Sequence, residues 1–233
     1  MSCKHNPSYI WKKKWTESIS ILDYYTSCVT VYCQKPKIIA LEKNELYPVF
    51  LKVTELETLI VGGGNVGLEK LGFLLKSSPN ARVTVIAKNF KQELKALALQ
   101  HKVHLINGSY KTDMLEGKHL VIACTDNQEV NIQIHADCRS RNILVNVADN
   151  PPYCDFYMGG IVTKGNLKLA ISTNGKSPTT AKRLRQFFED VLPEDINELL
   201  ENLNAFRTTI KGDFEEKVNT LNEITRDLIS KKK

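Results

Sequence analysis

The stretch Thr58-Leu59-Ile60-Val61-Gly62-Gly63-Gly64-Asn65-Val66-Gly67 constrains this chain more than any other. Four apolar or β-branched residues run directly into glycines, and an amphipathic segment follows at once, which reads as a strand, a tight turn and the start of a helix. In the spacing Gly62-x-Gly64-x-x-Gly67 each glycine has a mechanical reason. The first permits the sharp turn, the second leaves room for a pyrophosphate against bare backbone, and the third lets helix and strand pack closely. Unpaired N–H groups of the helix's first turn then face the phosphates, and the helix dipole favours their charge. The other reading is a glycine turn that serves the fold alone; the strand before and the helix after favour a dinucleotide site.

Downstream, strand and helix signals alternate. Gly67, Leu71, Leu74 and Leu75 share one helical face, and the helix stops at Ser77-Ser78-Pro79-Asn80. Strands are predicted over 82–87, 103–106, 119–124 and 143–148, a helix over 92–99, a short helical turn over 112–115, and a helix over about 127–140 capped by Thr125 or Asp126. This rhythm predicts an α/β fold, a Rossmann-like doubly wound parallel sheet with right-handed crossovers. Ahead of it, residues 47–53 read as a short entering strand with Pro48 at its edge.

The pattern changes at Asn150-Pro151-Pro152. Two β-prone runs, 156–162 and 167–172, flank Lys164-Gly165-Asn166, a hairpin signal. Ser177-Pro178 reads as N-cap and first helical residue, with Ala181, Leu184, Phe188 and Val191 as the apolar stripe behind it. Two further helices follow Pro193 and Asp213. A hairpin and a few helices bury too little by themselves, so a second subunit is expected to complete them. The expected organisation is a poorly ordered N-terminal extension (1–44), an NAD-binding Rossmann domain (45–150), a dimerisation hairpin (151–177) and a helical C-terminal domain (178–233).

A formal charge of +6 favours acidic partners through long-range attraction, whether nucleic acid, anionic lipid or a polycarboxylate. No apolar run approaches the roughly 20 residues that span a bilayer, which argues against an integral membrane protein. The cysteines Cys3, Cys28, Cys33, Cys124, Cys138 and Cys154 form no C-x-x-C pair and no zinc spacing, so they read as reduced thiols in a cytoplasmic protein. His5, His101, His104, His119 and His135 show no metal-ligand spacing either. The first residues carry Lys4, Lys12, Lys13 and Lys14 before any acid, as a transit peptide would, and are taken as a loosely docked extension.

In an open parallel sheet, ligands bind outside the carboxyl ends of the strands where the strand order reverses. With the usual order, the first and fourth strands are neighbours there and the fifth lies beside the fourth. Three tips then converge: 62–67, Cys124-Thr125-Asp126-Asn127, and Asp149-Asn150. Asp149 is either a functional carboxylate or a turn residue that accepts a bond from its own backbone. Asp126 competes for the functional role, and its place before a helix is explained by capping. The second strand ends in Ile86-Ala87-Lys88-Asn89, without the acid that would hold an adenosine ribose, so strict preference for NAD over NADP is not written here. Lys88 suits a phosphate, and Asn89 suits a ribose hydroxyl. The cluster Lys176, Lys182, Arg183 and Arg185 is either a solvated helical face or a docking site for an anionic substrate.

Several motifs together resemble one family. The run from Tyr47 to about Leu192 is similar to the precorrin-2 dehydrogenase/sirohydrochlorin ferrochelatase family, the module found alone or fused to a methyltransferase in siroheme synthesis. The matching pieces are Tyr47-Pro48-Val49-Phe50, Ile60-Val61-Gly62-Gly63-Gly64-Asn65-Val66, Ala123-Cys124-Thr125-Asp126-Asn127, Asn146-Val147-Ala148-Asp149 and Ile171-Ser172-Thr173-Asn174-Gly175-Lys176-Ser177-Pro178. The resemblance implies oxidation of precorrin-2 by NAD, with hydride passing to the nicotinamide, and it places the family's essential aspartate on Asp149. Cofactor contacts carry over to Asn65, Val66, Lys88 and Asn89, beside Gly62, Gly63, Gly64, Gly67, Thr125 and Asp126. Substrate contacts fall on Thr173, Asn174, Gly175 and Lys176.

The resemblance also implies a homodimer, a substrate with eight carboxylates that suits the basic balance, and in some relatives insertion of ferrous ion by the same aspartate. No methyltransferase domain fits in the remaining residues, so the three-function version is not expected, and no nucleic-acid or membrane partner is. Gly159-Gly160 stands where relatives often have a proline and a small residue, and Thr173 where serine is common, which is expected to loosen the hairpin. A dinucleotide-sensing regulatory module without catalysis is the rival from another class, and a chelatase with a redundant nucleotide fold is a third reading.

Overall fold

The computed structural model describes residues 44–226. The expected N-terminal extension, with Cys3, Cys28 and Cys33, lies outside the described residues apart from Asn44. Strand β1 (Glu57–Val61) sits at the centre of a five-stranded sheet, paired in parallel with β2 (Arg82–Ala87) on one side and β4 (Leu120–Ala123) on the other. β3 (His104–Asn107) extends the sheet beyond β2, and β5 (Leu144–Val147) extends it beyond β4, giving the order β3-β2-β1-β4-β5. The predicted α/β architecture and its switch point are both present.

Helices cover both faces, which is why the central strands read as continuous apolar runs instead of alternating ones. On one face Ile60, Val85 and Ile122 meet Leu71 and Leu75 of α1 (Asn65–Ser77) and Leu94 of α2 (Gln92–Gln100). On the other, Leu59, Val61, Val121 and Val145 meet Ile134 and Cys138 of α3 (Gln128–Ser140), with Leu115 of a 3-10 turn over Thr112–Leu115. Each such side chain taken wholly out of water contributes about 1.5–3 kcal/mol.

The free edge of β5 is closed by the chain that follows it. Asp155 N–H donates to Val145 O at 2.8 Å, the Val145 N–H donates to the Asp155 carboxylate at 3.0 Å, and Asn146 Nδ2 donates to Phe156 O at 2.8 Å. Phe156 is held by this closure and 157–159 are not strand, so the following strand, β6 (Gly160–Lys164), begins later than the run 156–162 predicts. The entering strand over 47–53 is also corrected. The segment is not a strand and has no strand partner among the described residues; Pro48 lacks an N–H to offer one, and Tyr47 and Phe50 stand 87% and 69% exposed.

β6 pairs antiparallel with β7 (Leu167–Ile171) through the two-residue turn Gly165-Asn166, where Gly165 has φ +55°. α4 (Pro178–Val191) starts as predicted, with Ser177 Oγ accepting the Thr180 N–H at 3.3 Å and Pro178 in the first turn. α5 (Ile196–Thr209) and α6 (Phe214–Thr225) follow, the latter opened by a reciprocal Asp213–Glu216 capping box. Lys168 Nζ donates to the carbonyl and hydroxyl of Ser77, tying the hairpin to the carboxyl end of α1. No residue of α4, α5 or α6 is fully buried.

Candidate dinucleotide and active site

The register brings the strand tips side by side. Val61 lies opposite Ile86 and Ala123, and Ala123 opposite Val147. The ladder then runs one step past each strand: Gly62 N–H to Ile86 O, Cys124 N–H to Val61 O, and Ala148 N–H to Ala123 O, all at 2.9 Å. Four loops therefore leave the same edge in the spatial order 88–91, 62–67, 124–127 and 148–150.

The glycines of the central loop divide into two kinds. Gly62 has φ +132°, and a Cβ there would stand 2.4 Å from Cys124 O; at Gly63 it would stand 2.3 Å from Asn89 O, and at Gly67 2.1 Å from Gly62 O. The protein's own packing demands all three. Gly64 is different: its φ is −84° and a Cβ would meet nothing within 4 Å. The fold makes no demand for glycine there, so the bare backbone faces open space of the kind a pyrophosphate needs. α1 starts at the next residue, with no side-chain cap and no acid in its first turn, which leaves its N–H dipoles to an external anion. The residues present fit a dinucleotide.

Beneath the turn, Cys124 Sγ donates to Val61 O at 3.3 Å and would lie 3.6 Å from a Cβ at Gly67. Burial pushes this thiol up to about 12, with Lys70 opposing weakly, so it acts as packing and not as a nucleophile.

The cap of α3 is a correction. Neither Thr125 nor Asp126 caps it; Asn127 Oδ1 accepts the N–H groups of Glu129 and Val130 at 2.9 and 3.1 Å. Thr125 is held by Asn131 instead: its N–H and hydroxyl both donate to Asn131 Oδ1, at 3.1 and 2.7 Å, while Asn131 Nδ2 donates to Thr125 O at 3.0 Å. Asn131 is buried, and sequence reasoning missed it. Its signal was a polar residue on the stripe that continues through Ile134 and Cys138. Asp126, relieved of capping, is an exposed carboxylate at the middle tip.

Asp149 follows β5 with φ +58°, a left-handed conformation that Asp tolerates better than most residues. Its side chain is exposed and makes no hydrogen bond or ion pair among the described residues. The turn reading, in which the carboxylate accepts from its own backbone, is therefore not what the geometry holds.

At the β2 tip, Lys88 and Asn89 are exposed, and Lys88 O accepts Asn107 Nδ2 at 3.2 Å. Sequence reasoning overlooked Lys91, whose N–H donates to Gly63 O at 3.0 Å and whose ammonium donates to Asn65 Oδ1.

Thr173, Asn174, Gly175 and Lys176 form the turn from β7 into α4, with Asn174 and Gly175 both left-handed at φ +53° and +72°. The Thr173 hydroxyl serves the turn, accepting from Ser177 N–H at 3.3 Å and donating to Ser177 O at 3.1 Å. In the basic cluster, Arg185 pairs with Glu189 and Arg183 donates to the neutral Gln186 one helical turn on, so one of the four charges is offset within α4. At Gly159 a Cβ would meet Ile171 O at 2.4 Å, so this glycine closes the hairpin tightly instead of loosening it.

Fold and site together define a dinucleotide-binding α/β module carrying an appended hairpin and helices. Residues 49–160 match the family NAD_binding_7, by its description NAD(P)-binding, and residues 164–190 match the sirohaem biosynthesis protein central family. Similar curated proteins include the siroheme synthase of Psychrobacter sp. (strain PRwf-1), 38% identical over 71% of this chain and 34% of its own length. That of Pseudoalteromonas translucida (strain TAC 125) is 38% identical over 72% and 35%, and that of Nitrosomonas europaea 36% over 72% and 35%. This chain is similar to siroheme synthases, and it spans about a third of the length of the curated relatives it matches. The solved structure named "SirC, precorrin-2 dehydrogenase" has the same fold, with a TM-score of 0.62 at 22% identity over 77% of this chain and 89% of that one.

Proposed function

We propose that this chain is an NAD-dependent precorrin-2 dehydrogenase that makes sirohydrochlorin in siroheme synthesis. The observation that carries the reading is the pairing of a glycine the fold does not require, Gly64, with an unbonded carboxylate, Asp149, two strand tips away on the same edge. The names of the family relatives and of the solved structure support the substrate.

Gly62, Gly63, Gly64 and Gly67 would hold the pyrophosphate against the first turn of α1, with Asn65 and Val66 donating backbone N–H groups to it. Lys88 and Asn89 would meet the adenosine ribose. Thr125, immobilised by Asn131, and Asp126 would border the nicotinamide half. NAD, when bound there, supplies the hydride acceptor. Asp149 then takes the proton that leaves the macrocycle carbon, a general-base role in which position matters as much as basicity. Thr173, Asn174, Gly175 and Lys176 would meet the acidic side chains of the substrate.

The same reading includes a homodimer in the cytoplasm. The exposed apolar residues Phe187 and Val191 of α4, at 54% and 58%, and Phe50 ahead of the sheet are the surface a second copy would cover. Among the described residues no helix is long and apolar enough to cross a membrane. Ferrous ion is proposed as a second substrate, with Asp149 drawing protons from pyrrole nitrogen in place of carbon.

The test is to incubate the protein with precorrin-2 and NAD while following the absorbance of NADH and sirohydrochlorin, then to add ferrous or cobaltous ion. NADH produced in step with sirohydrochlorin supports the dehydrogenase. Dinucleotide binding without turnover would leave the sensing module in its place.

A further inference from the structure

Lys91 lies outside every motif that the family resemblance rests on, yet its ammonium reaches the first residue of the helix that faces the phosphates. Its position is constrained twice. The backbone N–H is fixed to Gly63 O, and the missing side chain at Gly63 lets residues 87–90 close onto the glycine turn, with Asn89 O only 2.3 Å from where a Cβ would stand. The ammonium is therefore delivered between the β2 tip and the start of α1.

An ammonium has three donors and no acceptor, so the atom of Asn65 that faces it must be the amide oxygen. Asn65 Nδ2 then remains as a donor for a ligand, and two of the three Lys91 donors remain as well. Lys88, exposed and three residues earlier, adds a second positive charge, and no acid occurs from Ile86 to Lys91. An acid at this tip selects NAD by binding the ribose 2′-hydroxyl and repelling a 2′-phosphate; a cation there does the reverse. Glu93, in the first turn of α2, is the next carboxylate along the chain.

Building on the dehydrogenase reading, we propose that Lys91, oriented by Asn65 and assisted by Lys88, forms a 2′-phosphate site on the adenosine side of the cleft. The chain then accepts NADP at least as readily as NAD. Lys91 is a specificity-determining residue, and the chemical class it recognises is a ribose 2′-phosphate.

The experiment is calorimetric titration of the full chain with NAD, NADP, adenosine 5′-monophosphate and adenosine 2′,5′-bisphosphate, at low and at moderate salt. Charge-assisted bonds to phosphate predict that the bisphosphate binds about tenfold or more tightly than the monophosphate, with an advantage that shrinks as salt rises. Lys91→Ala should remove most of that advantage while monophosphate affinity stays within about twofold, and Lys91→Arg should keep it. Lys88→Ala should remove a smaller part.

Equal affinity of the wild-type chain for the two nucleotides would overturn the proposal. So would an equal loss for both in Lys91→Ala, which would assign the lysine to the 5′-phosphate. Turnover of precorrin-2 with NAD and no gain from the 2′-phosphate sinks this inference and leaves the dehydrogenase standing. Failure to bind any of the four nucleotides removes both.

Discussion

The two halves of the described chain solve the problem of burial differently. From β1 to β5, every strand of the central three is sealed on both faces, and α1, α2 and α3 each contribute fully buried side chains. From β6 onward only Val162 is fully buried, and the helices that follow turn large apolar residues outward. A parallel sheet must have both faces covered to exist at all, so the first half carries its own core. A hairpin with helices on it has no such obligation within one chain. The first half closes its own core, and the second leaves apolar surface exposed.

The contrast is broken or sharpened first by a pair of glycine substitutions in the self-contained half. Gly67→Ala drives a Cβ to 2.1 Å from Gly62 O and should cost about 3 kcal/mol or more, enough to abolish cooperative melting in a marginal domain. Gly64→Ala meets no atom within 4 Å and should cost at most about 1 kcal/mol, the loss of a glycine N-cap, while weakening dinucleotide binding about tenfold or more. If both melt alike, Gly64 belongs to the fold and not to the ligand.

Asp149→Ala tests the chemistry of the same half. Loss of a general base predicts a fall of about 10²–10⁴ in turnover of precorrin-2, with dinucleotide affinity unaltered in a binding titration. Retained turnover would remove this carboxylate from the reaction.

Phe187→Glu tests the other half. If the proposed homodimer forms through this face, the substitution should shift sedimentation from dimer to monomer at micromolar protein and leave the far-UV spectrum of the sheet and its helices intact. An unchanged sedimentation coefficient would show that α4 is not the covered face.

The smallest effect is electrostatic and lies far from the site. Burial alone would raise the Asp137 carboxyl, but bonds donated by Tyr110, Thr112 and Gln133, with the nearby charge of Arg141, outweigh burial and hold it below the usual range. A carboxyl depressed on folding stabilises above its unfolded pKa and loses that contribution as pH falls through the folded one. Asp137→Asn should therefore destabilise the protein at neutral pH by roughly 1 kcal/mol, given partial exposure, and the difference should vanish in strong acid. Denaturant melts at several pH values measure it.

The architecture was legible because hydrophobic rhythm and glycine spacing are local properties. The sheet, its order, the 3-10 turn over Thr112–Leu115, the hairpin and the Ser177-Pro178 start of α4 were all readable. The misreadings have a common form. Residues 47–53 have strand composition, and a strand needs a partner that composition does not supply. Thr125, Asp126 and Asn127 are all good N-cap residues, so only the path of the chain into α3 selects Asn127.

The order of residues by itself determined that a parallel sheet would form around β1, that a bare-backbone turn would stand at its carboxyl edge, and that Asp149 would lie two strands away. Only the tertiary structure decided which of the glycines the fold needs and which it leaves to a ligand, that Asn131 locks Thr125, and that Lys91 reaches Asn65 across 26 positions of sequence. The division follows from range. Periodicity and turn chemistry act between near neighbours, whereas the use of a side chain depends on groups that only the closed fold brings within hydrogen-bonding distance.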